Sequence, residues 1–314
     1  MTHAGSTTGP EELLHGQLNY KDTSGAIKEA VYAGQTTVAV VGCNTCHDTA
    51  AENDPHLTGE DYEAGAFPLR VPTGADEYAM IEKSSAVGTS DGTQVGGYGV
   101  GNACMWCHKS RKDVTNYVTA SNKITSTTWG PHNGPQTDVF SGKGAYEFPN
   151  KTYKDSSHTN LETGCVSCHM PAVADNLDVG DHSFYPALSV CKNCHGNNIT
   201  DFNVGGGQGD TKIKLRSLRT KLNEMGLLTR NGTAPLTDSE LADDNFADDD
   251  TRPQNYTTDP MDPPLTSVQA GALYNYLVMA RGSAFGVHNP NYSEEILYDS
   301  IQAIGGDLTN ISRP

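Results

Sequence analysis

Cys165-Val166-Ser167-Cys168-His169 and Cys191-Lys192-Asn193-Cys194-His195 lie close together in the middle of the chain. Working outward toward the N-terminus, the same pattern recurs as Cys104-Met105-Trp106-Cys107-His108 and Cys43-Asn44-Thr45-Cys46-His47. The chain has 8 cysteines, and these strings use all of them. Two thiols three positions apart are spaced to add across the two vinyl groups of one porphyrin. The histidine next in line then reaches the iron from the proximal side, and the whole string is the attachment signature of c-type haem. Zinc held by cysteine pairs, redox dithiols and a disulfide scaffold are the competing readings. None of them accounts for a histidine directly after every pair. Four haem c groups are therefore expected, with thioethers at Cys43, Cys46, Cys104, Cys107, Cys165, Cys168, Cys191 and Cys194. The proximal iron ligands are His47, His108, His169 and His195. The first three motifs begin at equal intervals, but no other alignment supports an internal repeat.

The ligand on the far side of each iron separates a carrier from a catalyst, because an iron with two protein ligands is closed to substrate and an open position permits chemistry. The other histidines are His3, His15, His56, His132, His158, His182 and His288, enough to close all four irons. His132 sits in the turn-rich segment Trp129-Gly130-Pro131-His132-Asn133-Gly134-Pro135, His158 shortly before the third motif, and His182 between the third and fourth. These three and His15, on a short amphipathic stretch, are the distal candidates; His56 and His288 are held in reserve. Met105 and Met170 lie inside or beside a motif on its proximal side, where they are badly placed to cap the same haem.

Composition agrees with an interior built around cofactors. Only 36% of the 314 residues are hydrophobic, and 33 glycines and 16 prolines disfavour long regular elements. Covalent haems would supply the apolar mass that such a chain lacks. With 21 basic against 38 acidic residues the formal charge is −17. That balance excludes nucleic acid, whose phosphates need a basic face, and disfavours docking on an anionic membrane. No apolar run is long enough to insert in a membrane as a helix. The polar N-terminus lacks the layout of a signal peptide, so an exported protein is expected whose leader has been left off.

The expected fold class is a multihaem cytochrome c, mostly coil with short helices wrapped around a haem chain, plus a small helical C-terminal module. Residues 1–203 form the tetrahaem domain, 204–210 a glycine-rich linker, and 211–314 the haem-free module. Leu215, Leu218, Leu222 and Met225 recur at helical spacing, with Gly226 placed as a stop. Lys212, Lys214, Arg216, Arg219 and Lys221 on that helix read as a solvated face, or as a docking stripe for an acidic neighbour. Two more helices are expected over 267–281 and 293–304. The acidic loop 237–264 has no EF-hand spacing, which leaves calcium a weak alternative there.

The run from Trp129 to Gln136, through Gly164-Cys165-Val166-Ser167-Cys168-His169-Met170-Pro171 and Asp181-His182-Ser183-Phe184, to Cys191-Lys192-Asn193-Cys194-His195 resembles one family. It is similar to the tetrahaem outer-surface cytochromes of the OmcE type, which polymerise into extracellular filaments, or nanowires. The similarity covers about residues 10–200. It implies bis-histidine haems in a continuous chain, copies of the chain itself as partners, and a histidine such as His15 donated to the iron of a neighbouring subunit. The expected function is thus electron transfer without enzymatic activity, at the cell surface, to other redox proteins or extracellular acceptors. A soluble periplasmic electron shuttle is the alternative, and a nitrite or hydroxylamine reductase a more distant one.

Overall fold

The computed structural model describes residues 94–126, 128–173, 176–246, 251–253 and 264–314, and upstream of these only 19–21, 27–29, 46–47, 69 and 78–80. Cys43, His3, His15 and His56 fall outside the described residues. The chain divides into two compact units, one of residues 1–77, 97–104 and 162–194, the other of 78–96, 105–161 and 195–314.

The first unit is built from short pieces. Strands β1 (Asn19–Lys21) and β2 (Ile27–Glu29) pair antiparallel. His47 makes an isolated bridge with Leu69. Helix α1 (Asn102–Cys107) carries the second motif across the division between the units, and α2 (Val166–His169) carries the third. Strands β3 (Ala172–Val173) and β4 (Asn176–Gly180) form a ribbon between α2 and α3 (Leu188–His195), which contains the fourth motif. Helical winding explains this placement, since positions i, i+3 and i+4 share one face and both thiols and the histidine then point the same way. Gly101 sits at a close approach, where a Cβ would lie 2.4 Å from the Thr163 carbonyl oxygen, so the segment entering α1 packs directly on the segment entering α2.

In the second unit three helices form the core: α4 (Gly207–Glu224), α5 (Ser267–Gly282) and α6 (Pro290–Ala303), packed pairwise against one another. Leu215, Leu218 and Leu222 of α4 are fully buried, and Met225 packs against them. Gly226, at φ +70, closes α4 with paired bonds from its own N–H to Asn223 and from Leu227 N–H to Leu222, a Schellman ending that needs the left-handed conformation. Helix α5 starts at a capping box, Thr266 Oγ1 accepting from Gln269 N–H while Gln269 Oε1 accepts from Thr266 N–H. Every residue from Ala270 to Ala280 is buried, the mark of a helix at the centre of a core rather than on its surface. Helix α6 begins three residues before the expected start because Pro290 is tolerated in the first turn, where its missing N–H is no loss.

Two expectations change. Residues 204–210 do not form a flexible linker: a tight turn at Val204–Gly206 leads straight into α4, which starts at Gly207. Nor do the helices stand apart as a module, because 105–161 belongs to the same compact unit and contributes Ile124, Trp129, Val139 and Phe148 to the same core. Buried Asn275 on α5 ties these parts together, accepting from Tyr146 N–H at 2.7 Å and donating to the Tyr146 carbonyl at 2.9 Å and Ser300 Oγ at 3.0 Å.

The basic residues of α4 are satisfied within the chain. Lys214 meets Glu294 at 3.0 Å, Lys212 meets Asp244 at 3.4 Å, Arg216 meets the same Asp244, and Lys221 meets Glu224 at 3.2 Å. Arg219 is buried over the Phe246 ring and bonds Asp243 and the Leu241 carbonyl. The docking-stripe reading thereby loses its charges to intramolecular partners.

Candidate haem-ligand site

No disulfide forms among the described cysteines. Instead the thiols of successive motifs crowd together. Cys104, the first cysteine of motif two, is hydrogen-bonded to Cys165, the first of motif three; that bond and burial push the Cys104 thiol far above its ordinary range. Burial raises Cys168 as well, with Cys191 and Cys194 of motif four adding to the effect. Within the first unit, then, Cys104 lies beside Cys165, and Cys168 near Cys191 and Cys194.

Four of the imidazoles fall into two pairs. The His47 and His182 rings lie 6.2 Å apart between centroids, and the His158 and His195 rings 5.9 Å apart. Two imidazoles holding one metal between them, each nitrogen about 2 Å from it, bring their centroids to about 6 Å. The His47–His182 and His158–His195 separations therefore match the span an axial ligand pair would have.

Hydrogen bonds fix which ring nitrogen is available for a metal. Nδ1 of His158 donates to the Val287 carbonyl at 2.7 Å, and Nδ1 of His132 to the Asn133 carbonyl at 2.8 Å. His169 does the same to Phe184 and His182 to Gly180, each at 2.8 Å. A carbonyl only accepts, so the proton sits on Nδ1 and Nε2 carries the ring lone pair. His108 follows by a longer argument: Gln136 Nε2 donates to the Gly282 carbonyl at 3.0 Å, which leaves Oε1 to accept from His108 Nδ1 at 3.0 Å. Metal-ligating histidines almost always show this arrangement. Phe184 reaches its position at φ +58, a left-handed conformation that is costly for a bulky residue and that aims its carbonyl at His169.

The placements differ from residue to residue. His158 lies beside His195 and His182 beside His47. His132 is exposed, and its backbone N–H bonds the carbonyl of Ser110, two residues after motif two, at 3.0 Å. His288 is half-buried on the corner between α5 and α6. Met105 is fully buried. Gln136 and the carbonyls of Gly180, Phe184 and Val287 were not foreseen; Gln136 alone had a visible signal, as the end of the Trp129–Gln136 run. No family model, no curated protein and no solved structure matched the chain. Among the described residues no group of three or more histidines, cysteines and carboxylates gathers at one point. A porphyrin supplies four ligands of its own, so two imidazoles are all the protein must add.

Asp138 is a fully buried carboxyl that bonds the chain just after motif two. Its Oδ2 accepts from Ser110 N–H at 2.9 Å, and burial pushes its pKa up to about 7. The unfolded chain sheds this proton near pH 4 and the folded chain keeps it to about pH 7. The group's contribution is therefore fully present below pH 4 and lost as pH rises through 7, by a few kcal/mol at most. Asp138→Asn keeps the acceptor and removes the titration. We expect denaturant midpoints of the variant to exceed those of the native chain at pH 8 and to match them at pH 4.

Proposed function

We propose that this chain is a tetrahaem electron carrier whose irons are closed on both sides by histidine. The observation that carries the reading is the pairing of His47 with His182 and of His158 with His195 at the separation of axial ligands, on a chain whose every cysteine lies in a haem-attachment motif. Cys43 and Cys46 would hold the first haem, with His47 and His182 as its ligands. Cys191 and Cys194 would hold the fourth, with His195 and His158. His108 and His169 would serve the second and third, with His132 closing one of them and the remaining ligand coming from His15, His56 or His288.

The haems would supply the one-electron chemistry. The chain's own residues do the rest. Nδ1 bonds orient the rings of His108, His132, His158, His169 and His182 and would raise their basicity, which favours oxidised iron and keeps potentials low. The neighbouring thiols of Cys104 and Cys165, and of Cys168, Cys191 and Cys194, would hold successive haems close to one another, the condition for passing electrons along the chain. Two imidazoles on an iron leave no position for nitrite or hydroxylamine, which supports a carrier over a reductase.

Within this reading we favour a subunit of an extracellular filament over a periplasmic shuttle, on the resemblance to the OmcE-type cytochromes. No helix among the described residues is long and apolar enough to cross a membrane. The test is the intact mass and the alkaline pyridine spectrum of the chain matured in a host that attaches haem c, followed by electron microscopy of material sheared from the cell surface. Four haems per chain and long uniform filaments are expected. A mass without haem overturns the carrier, and isolated single-chain particles overturn the filament.

A further inference from the structure

The three core helices of the second unit carry no cysteine, and nothing in their packing alone says what they contribute to electron transfer. The corner that joins α5 to α6, residues 281–289, is where they meet the histidine-bearing segments. The Gly282 carbonyl holds Gln136, which in turn holds the His108 ring. Arg281 Nη1 donates to the carbonyls of Pro131 at 2.6 Å and Trp129 at 3.3 Å, gripping the turn that presents His132, while its own carbonyl accepts from Gly134 N–H. The Val287 carbonyl accepts the hydrogen bond that His158 Nδ1 donates. Asn289, with no exposed surface, accepts from Ser156 N–H at 2.9 Å and donates to Asp155 Oδ1 at 2.8 Å, fixing the backbone that leads to His158.

One short corner thus reaches three ligand histidines drawn from distant parts of the sequence. The corner is itself rigidly held. Ser283 and Phe285 adopt left-handed φ values, and at Gly286, φ +86, a Cβ would lie 2.4 Å from Thr211 Oγ1 of α4. We propose that residues 281–289 are the common outer shell for His108, His132 and His158, and that the haem-free helices exist to hold that shell in place. Gln136 is its relay to His108, a positioning residue that acts through the imidazole. The inference rests on the carrier reading above.

The chemistry gives the test a sign. An Nδ1–H that donates to a strong acceptor makes the opposite nitrogen a stronger electron donor, which stabilises oxidised iron. Gln136→Leu removes the acceptor, and Gln136→Glu replaces it with a charged one. Spectroelectrochemical titration of the holoprotein should show one of four midpoints raised in Gln136→Leu and the same midpoint lowered in Gln136→Glu. Asn289→Ala, which unpins Ser156, should alter the low-spin electron paramagnetic resonance signal of a different haem. A purely structural role would move both Gln136 variants in the same direction. Shifts of equal sign, or four unchanged midpoints and signals on a fully loaded tetrahaem chain, overturn this inference alone. A chain that takes up no haem overturns the carrier reading with it.

Discussion

Replacing His182 by methionine is expected to raise the midpoint of a single haem, the one attached at Cys43 and Cys46, by on the order of 0.1 V within the roughly 0.8 V that axial ligands span. The argument starts from the 6.2 Å between the His47 and His182 rings. His182 lies on the Asp181–Phe184 turn after β4, and its Nδ1 bond to Gly180 fixes the ring. A thioether at that position is a poorer donor to oxidised iron than imidazole, so the reduced form gains. Optical redox titration would show one component displaced and three unmoved, together with the red absorption band of methionine-ligated ferric haem. His158→Met is expected to act in the same way on the haem at Cys191 and Cys194. If each substitution displaced the same component, or neither displaced any, the proposed pairing would be wrong.

Arg313→Ala is expected to cost about 3 kcal/mol, at the lower end of what breaking a buried ion pair costs. Near the end of the sequence, Arg313 Nε donates to both oxygens of Asp299, at 3.3 and 3.2 Å, and Nη2 to Oδ2 at 3.2 Å. Nη1 reaches Glu295 at 3.1 Å and Nη2 the Thr152 carbonyl at 2.5 Å. Asp299 and Glu295 are each only 1% exposed on α6, and the guanidinium lies 5.6 Å from the centre of the Tyr153 ring. Truncation leaves Glu295 without its guanidinium and Asp299 with Lys151, 3.1 Å away, as its remaining cation. That remaining partner is why the lower end of the range applies. At 2–4 °C per kcal/mol, roughly 6–12 °C should be lost from the calorimetric Tm of the holoprotein. Combining the change with Glu295→Gln and Asp299→Asn should recover much of the loss, because the cost lies in uncompensated charge. A Tm unchanged in Arg313→Ala would mean the cluster is solvated and contributes little.

How much of this was legible beforehand depended on the range of the interaction. The periodic leucines of α4 and the stop at Gly226 are local features, and helix and Schellman ending formed where they pointed. The boundary at 204–210 was misread for an equally local reason. Glycine permits both a linker and a helix start, and only the burial of Leu215, Leu218 and Leu222 against α5 and α6 decided between them. The basic face of α4 looked available for a partner because the sequence does not reveal that Asp243, Asp244 and Glu294 fold back onto it.

By itself the sequence carried the proposed haem-attachment sites, because two thiols and a histidine at fixed spacing act within a single helical turn and need no help from the rest of the chain. It also bounded the distal ligands to a few histidines. Only the tertiary structure could place those histidines relative to one another: it set His182 near His47 and His158 near His195, and put the Val287 carbonyl on the His158 ring. Those placements belong to contacts between segments far apart along the chain, and such contacts depend on how whole elements pack. Spacing within a motif carries no record of them.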